Sequence, residues 1–172
     1  MLLAMSGSAP VFAGEFRANL GTSFTTTNTP LAGISAAGGY RAGKVDLWLI
    51  EFDAAETSLT YHSLKNSSSF GSKKSSTEPT LTFKGYEIGY SLLKEFGGFY
   101  IGPGIGYGIA ETTNVPEAGQ ETSSSTFFTA TDVHYGVLTG KVSKRWGAVG
   151  CDMVVSSFGG LIGGSLLCGL NY

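Results

Sequence analysis

The chain carries little charge. Charged residues make up 14% of its 172 residues, against roughly 25% in an ordinary soluble domain, and the formal net charge is −2. A protein that binds nucleic acid by neutralising phosphates needs a basic surface, so we exclude that class and expect no nucleic-acid partner. The low charge also excludes a charge-rich disordered chain.

Long apolar runs are missing as well. Outside the N-terminus the sequence has no uncharged apolar run of about 20 residues, the length that a transmembrane helix requires. Residues 1–13 (MLLAMSGSAPVFA) end in Val11-Phe12-Ala13, the small-x-small pattern of a signal-peptidase site, but lack a positive start. We expect 1–13 to be a signal-peptide remnant and 14–172 to be the mature domain. The alternative is a flexible N-terminal segment.

Cysteine and histidine are scarce, at two residues each. Because there is neither a CxxC pair nor a His/Cys cluster, we expect no zinc site, no other metal and no cofactor.

Glycine and aromatic residues are abundant instead: 26 residues are glycine, and aromatics make up 12%. The clearest pattern is residues 96–110, FGGFYIGPGIGYGIA. Positions i and i+2 share a strand face, so one face carries bulky apolar residues and the other is nearly all glycine. A helix would lose about 1 kcal/mol at each glycine. The pattern therefore predicts a strand.

Similar alternation predicts eight strands, at 14–26, 31–41, 44–62, 79–92, 96–110, 126–142, 146–157 and 161–172. The links between them alternate in length. Short turns are predicted at 41–44, 94–95 and 143–145, whereas Ser/Thr-rich links such as 63–78 and 113–125 fall at the opposite end. Short turns at one end and long loops at the other are typical of outer-membrane barrels.

We therefore predict an all-β, eight-stranded, antiparallel up-and-down transmembrane β-barrel. The predicted lipid-facing residues are Phe16, Leu20, Trp48, Ile50, Phe52, Tyr86, Ile88, Tyr90, Ile101, Ile105, Tyr107, Tyr135, Val137, Met153, Leu166, Leu170 and Tyr172. A soluble lipocalin-like barrel is the alternative, and it would reverse the two faces.

Charged residues on the other face predict a polar network in the lumen. Its predicted members are Arg17, Glu51, Asp53, Glu87, Asp132, His134 and Asp152. Unpaired buried charges are costly, so these side chains should pair or be hydrated. Eight strands leave room only for side chains or one small ligand, which favours a structural brace over a narrow pore for solutes or protons.

The chain resembles the small eight-stranded outer-membrane barrels of the OmpX, OmpA transmembrane-domain and opacity-protein group. AAGGYRAGKVDLWLIEF resembles that group's second hairpin, GGFYIGPGIGYG its fifth strand, and the last strand, ending at Tyr172, its C-terminal assembly signal. The resemblance implies a bacterial outer-membrane location, contacts with membrane lipids and lipopolysaccharide, and recognition of the C-terminal strand by the barrel-assembly machinery. It implies a structural or adhesion-like surface role, with no loop partner specified.

A lipid A-modifying enzyme is the alternative function. Glu56, Ser58, Thr60 and His62 share the predicted outward phase near the outer rim, where a base, a nucleophile and an acid would have to converge. The His-x-Ser-Asn spacing that we associate with barrel deacylases is absent, however. We therefore expect the rim residues Glu56, Ser58, His62, Lys65, Lys73 and Lys74 to contact lipopolysaccharide.

The two cysteines face each other in the predicted last hairpin. A two-residue turn at Gly159-Gly160 pairs residues whose numbers sum to 319, and Cys151 and Cys168 meet that condition. Directly opposed residues at a non-hydrogen-bonded position lie about 4.5 Å apart at Cα, within disulfide range. In an oxidising periplasm we predict a cross-strand disulfide, with two reduced lipid-facing thiols as the alternative.

Overall fold

The computed structural model describes residues 14–26, 31–47, 50–66, 80–115, 130–158 and 161–172. These residues form ten strands: β1 (Glu15–Thr26), β2 (Leu31–Ala42), β3 (Val45–Leu47), β4 (Ile50–Phe52), β5 (Ala54–Asn66), β6 (Thr80–Phe96), β7 (Phe99–Val115), β8 (Ala130–Trp146), β9 (Val149–Phe158) and β10 (Leu161–Asn171). Among them no helix is long and apolar enough to cross a lipid bilayer. The predicted signal-peptide remnant, 1–13, lies outside the described residues and stays a prediction.

Eight of the strands close into an antiparallel barrel in the order β1-β10-β9-β8-β7-β6-β5-β2. Strands β1 and β10 close it, with Leu20 opposite Cys168, while β3 and β4 pair only with each other in a separate two-stranded sheet. The predicted all-β, eight-stranded up-and-down barrel is confirmed. We call the end that holds Glu15 and Asn171 the terminal end, and the opposite end the distal end.

The glycine-rich strand β7 shows how the sequence separates the two faces. Ile105 and Tyr107 are exposed on the outside, whereas Gly104 and Gly108 are buried inside. A Cβ atom on Gly108 would lie 2.2 Å from the ring of Tyr135, so the lumen needs glycine there. Bare positions on the inner face make room for side chains from neighbouring strands.

The outer surface carries an apolar belt of the height of a bilayer. On β7 the outward residues are apolar from Phe99 to Ile109, and the next outward residue is the exposed Glu111. Ten steps of about 3.3 Å, at a tilt of about 40°, give a belt roughly 25 Å tall, which matches the apolar band of outer-membrane barrels. Exposed Phe16, Ile88 and Leu166 continue the belt on other strands.

The predicted third strand, 44–62, is wrong, because these residues form two separate elements, a hairpin and a barrel strand. Val45–Leu47 and Ile50–Phe52 form the β3–β4 hairpin outside the barrel, and the barrel strand β5 starts only at Ala54. Its register is set by β2, with Arg41 opposite Glu56. As a result Leu59 points outward and Glu56 inward, the reverse of the predicted phase. A shift of one residue moves every side chain of a strand to the other face.

The predicted phase of β8 is also reversed. Tyr135 and Val137 are buried in the lumen, while Leu138 is 66% exposed on the outside. The prediction assumed that apolar residues face lipid. It fails here because the distal half of the lumen is itself apolar, with a core of Leu31, Leu64, Phe83, Ala110, Tyr135 and Val137.

The turns at the terminal end lie later in the chain than predicted. Residues 94–95 and 143–145 belong to strands β6 and β8. The turns use Gly97, Gly98 and Gly147, at φ angles of 58°, 80° and 62°. Only glycine adopts these values without a steric cost, which is why the chain reverses there. The predicted turn at 41–44 is replaced by the longer β3–β4 excursion.

Strands β9 and β10 are joined by a disulfide. Phe158 pairs with Leu161, and in that register Cys151 lies directly opposite Cys168. The two residues form a disulfide with a Cα–Cα distance of 4.0 Å. It lies on the outward face between Met153 and Leu170.

This disulfide should stabilise the barrel by restricting the unfolded chain. Replacing Cys151 and Cys168 together by Ala should lower the free energy of unfolding by about 2–4 kcal/mol, because the unfolded loop is released. Urea unfolding in detergent micelles measures the difference. A reductant should cause the same loss in the wild type and none in the double variant, and equal stability of both proteins would contradict the prediction.

Candidate functional site

The terminal half of the lumen holds a buried ionic cluster. Arg17 on β1 donates hydrogen bonds to Glu56 on β5 at 2.9 Å, Asp152 on β9 at 2.8 Å and Asn171 on β10 at 2.8 Å. Its side chain is 3% exposed. One guanidinium therefore ties four strands together across the lumen.

Glu56 is the centre of this cluster. Its Oε2 atom also accepts hydrogen bonds from Arg41 at 3.0 and 2.8 Å, and its Oε1 atom pairs with Lys141. Lys141 reaches Asp152 at 2.9 Å as well. Buried charges are tolerated when each is paired and hydrogen-bonded, and here three cations surround two carboxylates.

The cluster continues to the open terminal end of the barrel. Arg41 lies 3.7 Å from Glu15, and Glu15 also pairs with Arg145. The guanidinium of Arg41 stacks 4.8 Å from the centre of the Tyr100 ring. These contacts cap the ionic cluster with groups that reach solvent.

The middle of the lumen is a hydroxyl–imidazole chain. Ser23 shares 2.6 Å hydrogen bonds with Ser35 and with Ser165. Ser35 lies 2.7 Å from Nδ1 of His62, and Nε2 of His62 lies 3.8 Å from Glu87. This order of hydroxyl, imidazole and carboxylate resembles a catalytic triad, which could act only on a substrate that reaches Ser35.

Access to this chain is too limited for a substrate. Ser35 is 0% exposed, and the cavity beside His62 and Tyr135 has a volume of about 20 Å³. That is room for about one water molecule. A second cavity of about 50 Å³ lies next to Arg17 and Glu56. In the part of the chain that the structure describes, the lumen is thus filled by side chains, ionic at the terminal end and apolar at the distal end.

The predicted position of Glu51 and Asp53 in the lumen network is wrong, because they belong to the β3–β4 hairpin and its base. Glu51 pairs with Lys44 at 2.7 Å, and Asp53 accepts a hydrogen bond from the Glu95 N–H at 2.8 Å and pairs with Lys94 at 3.3 Å. The hydrogen bond from Lys44 lowers the pKa of Glu51, and that from Glu95 lowers the pKa of Asp53.

His134 is also misplaced by the prediction. It lies on the outer face of β8, where its Nδ1 atom is 2.5 Å from the Tyr107 hydroxyl. The side chain of Asp132 lies outside the described residues. Arg17, Glu87 and Asp152 do line the lumen, so the structure brings together three of the seven predicted members.

The predicted outward rim of Glu56, Ser58 and His62 is wrong, because the phase of β5 is reversed and all three side chains face the lumen. Lys65 is exposed near the distal end of β5, whereas Lys73 and Lys74 lie outside the described residues. An exposed Lys84, opposite Glu111 on β7, stands beside this edge of the belt. The prediction did not single it out.

Sequence reasoning also missed Arg41 and Lys141. Arg41 was assigned to a turn, and Lys141 to the outer face of a strand of reversed phase. The rule that buried charges must pair could have found them, since the acidic excess of the predicted network required further cations.

Comparison with known proteins identifies the fold. No family model matches the chain, and no curated protein matches it in sequence. Its structure is similar to that of Ail, the attachment invasion locus protein of Yersinia pestis, with a TM-score of 0.54 at 11% identity over 92% of this chain and 99% of that chain. Ail in complex with the heparin analogue sucrose octasulfate gives a TM-score of 0.50 at 10% identity over the same shares. The predicted resemblance to OmpX-like barrels is confirmed for the fold.

The ionic cluster predicts a large effect for Glu56. Glu56→Gln leaves Arg17, Arg41 and Lys141 with one carboxylate partner fewer, so the free energy of unfolding should fall by about 3–5 kcal/mol. The matched control is Glu87→Gln, which removes a lumen carboxylate that His62 approaches only to 3.8 Å and should cost less than about 1 kcal/mol.

Urea unfolding measures both effects. The folded fraction is read from gels, in which a folded barrel that has not been boiled migrates as a faster band. Adding Lys141→Met to Glu56→Gln should recover part of the loss, because Arg17 and Lys141 would otherwise share the one remaining carboxylate, Asp152, and removing Lys141 leaves Arg17 and Asp152 as a balanced pair. Equal losses for Glu56→Gln and Glu87→Gln would show that the cluster is not the main brace.

Proposed function

We propose that the chain is a bacterial outer-membrane barrel that attaches its cell to surfaces or partners outside, without an enzymatic role. The apolar belt and the ionic lumen support the membrane location. A soluble lipocalin-like barrel needs the reverse arrangement, with apolar residues inside and polar residues outside.

The observation that carries this proposal is the unequal length of the strands. Strands β6, β7 and β8 have 17 residues each, whereas β1, β2, β5, β9 and β10 have 10 to 13. About 9–11 residues cross a bilayer. On β7 the belt ends at Ile109, and the strand continues to Val115, which is about 20 Å further along the strand.

The long strands thus form a wall that rises beyond the belt at the distal end. The chain segments 67–79 and 116–129 connect β5 to β6 and β7 to β8 at that end, and both are rich in serine and threonine. A rigid sheet that carries connecting segments is a common support for binding sites. We therefore propose the wall and its two segments as the attachment surface.

The same geometry indicates which residues would contact the outer leaflet of the membrane. Lys65 and Lys84 are exposed just beyond the belt, where lysine side chains can reach lipopolysaccharide phosphates. At the other end of the molecule, β10 ends next to the exposed Tyr172, and we propose this strand as the element that the barrel-assembly machinery recognises.

The other two functions have weaker support. A lipid A-modifying enzyme needs its reacting groups at the lipid surface, but Glu56, Ser58 and His62 face the lumen. A solute pore needs a continuous passage, but Leu93, Asp152, Ser35 and Ser143 are fully buried between the lumen walls. The name of Ail, attachment invasion locus protein, agrees with an attachment role for a barrel of this fold.

The attachment role predicts that the distal segments are required. Bacteria that display the wild-type chain should be retained on cultured epithelial cells or on immobilised heparin. Replacing 68–78 or 117–128 by Gly-Ser sequences of equal length should reduce retention by about tenfold, which corresponds to about 1.4 kcal/mol of binding free energy.

The matched control changes the opposite end: Lys44→Ser with Asp46→Ser alters two exposed residues of the β3–β4 hairpin and should leave retention unchanged. Each variant must keep the heat-dependent gel shift of a closed barrel. Wild-type retention at the level of cells without the protein, or full retention after both replacements, would refute the attachment role.

A further inference from the structure

The β3–β4 hairpin is amphipathic. In its register Val45 lies opposite Phe52 and Leu47 opposite Ile50, so all four apolar side chains share one face. Leu47 is 49% and Ile50 61% exposed, while Val45 and Phe52 are half-buried.

The other face of the hairpin is polar. Asp46 lies opposite Glu51, and Lys44 pairs with Glu51 at 2.7 Å, with side chains 72% and 50% exposed. A two-stranded hairpin by itself is marginally stable in water. An exposed apolar face on such an element therefore calls for a second surface to cover it.

The base of the hairpin is fixed to the outside of the barrel. Lys94 lies opposite Ile101, on the outward face of β6, because Leu93 beside it is 0% exposed and points inward. Its ammonium group bonds to the Glu51 carbonyl at 3.2 Å and to the Asp53 carboxylate at 3.3 Å. The base of the hairpin is thus tied to the outward face of β6, while Asp53 also lines the cavity at the terminal end of the lumen.

This attachment point lies close to exposed aromatic side chains at the terminal ends of β6, β7 and β8. Phe96, two residues beyond Lys94 on β6, is 60% exposed, and Trp146 at the end of β8 is 55% exposed. Lys144 lies 4.0 Å from the centre of the Phe99 ring. Exposed aromatics with a lysine among them are typical of the boundary between lipid and water.

We propose that the β3–β4 hairpin is an interfacial membrane anchor, whose apolar face (Val45, Leu47, Ile50 and Phe52) lies in the lipid leaflet at the terminal end of the barrel. Its polar face (Lys44, Asp46, Glu51 and Asp53) then meets water. This inference rests on the proposed membrane location. Lipid is the occupant because the hairpin is tethered on the outer side of β6, continuous with the surface that lipid already covers, and because a reach of about 13 Å keeps its strands near that boundary.

Depth-dependent quenching tests the anchor. Single cysteines replace Leu47, Asp46 or Ile105 in the full chain with its disulfide intact, and each is labelled with an environment-sensitive fluorophore. The proteins are inserted into vesicles of phosphatidylethanolamine and phosphatidylglycerol whose acyl chains carry bromine. Position 105 reports the barrel belt, and position 46 is the matched control on the polar face.

Quenching at position 47 should approach that at position 105 and exceed that at position 46 at least twofold. Equal quenching at 46 and 47, with strong quenching at 105, would overturn the anchor and leave the membrane barrel intact. A disulfide-linked dimer of Leu47→Cys in place of lipid quenching would show that a second copy covers the face and would also overturn it. Weak quenching at 105 would instead show that the membrane location itself is wrong.

Discussion

The paired carboxylate of Glu56 is the constraint on which this barrel depends. It is 4% exposed and is held by Arg17, Arg41 and Lys141, which come from β1, β2 and β8. A buried charge that loses its partners costs several kcal/mol, so these strands can slide past one another only by breaking the cluster. Because a slip of one residue would also turn each strand inside out, the ionic pairs and the apolar belt enforce the same register.

The lumen is divided into an ionic zone and an apolar zone. Because apolar residues line both the outer belt and the distal lumen, an apolar side chain does not by itself show which face of a strand points inward. Charged groups at the terminal end satisfy each other, whereas Phe83, Tyr135 and their neighbours at the distal end pack as an ordinary apolar core. Between them, Ser35 and His62 provide a short polar transition. A barrel of eight strands is narrow enough for side chains to fill, and here they fill it with two kinds of contact.

Much of this fold follows from local sequence pattern, and the errors have one origin. The glycine face of β7, the apolar belt and the opposition of Cys151 and Cys168 depend only on alternation within a strand or across a two-residue turn. The phase of β5 depends on where the chain re-enters the barrel after the hairpin. Alternation cannot fix that point, because Trp48, Ile50 and Phe52 recur at every second residue like the outward residues of a barrel strand. Lys141 and Arg41 join the site through partners far away in sequence, so no local pattern marks them.

The two ends of the molecule complement each other in physical terms. A mobile binding surface loses orientational freedom when it binds a partner. A wall that continues directly from a barrel of fixed register has lost most of that freedom already. The ionic brace holds the strands at the terminal end, the same end at which the base of the amphipathic hairpin is tied to β6. A contact in the leaflet there would resist tilting of the barrel, because the hairpin lies off the barrel axis. Rigidity at the terminal end thus favours presentation of the proposed binding surface at the distal end.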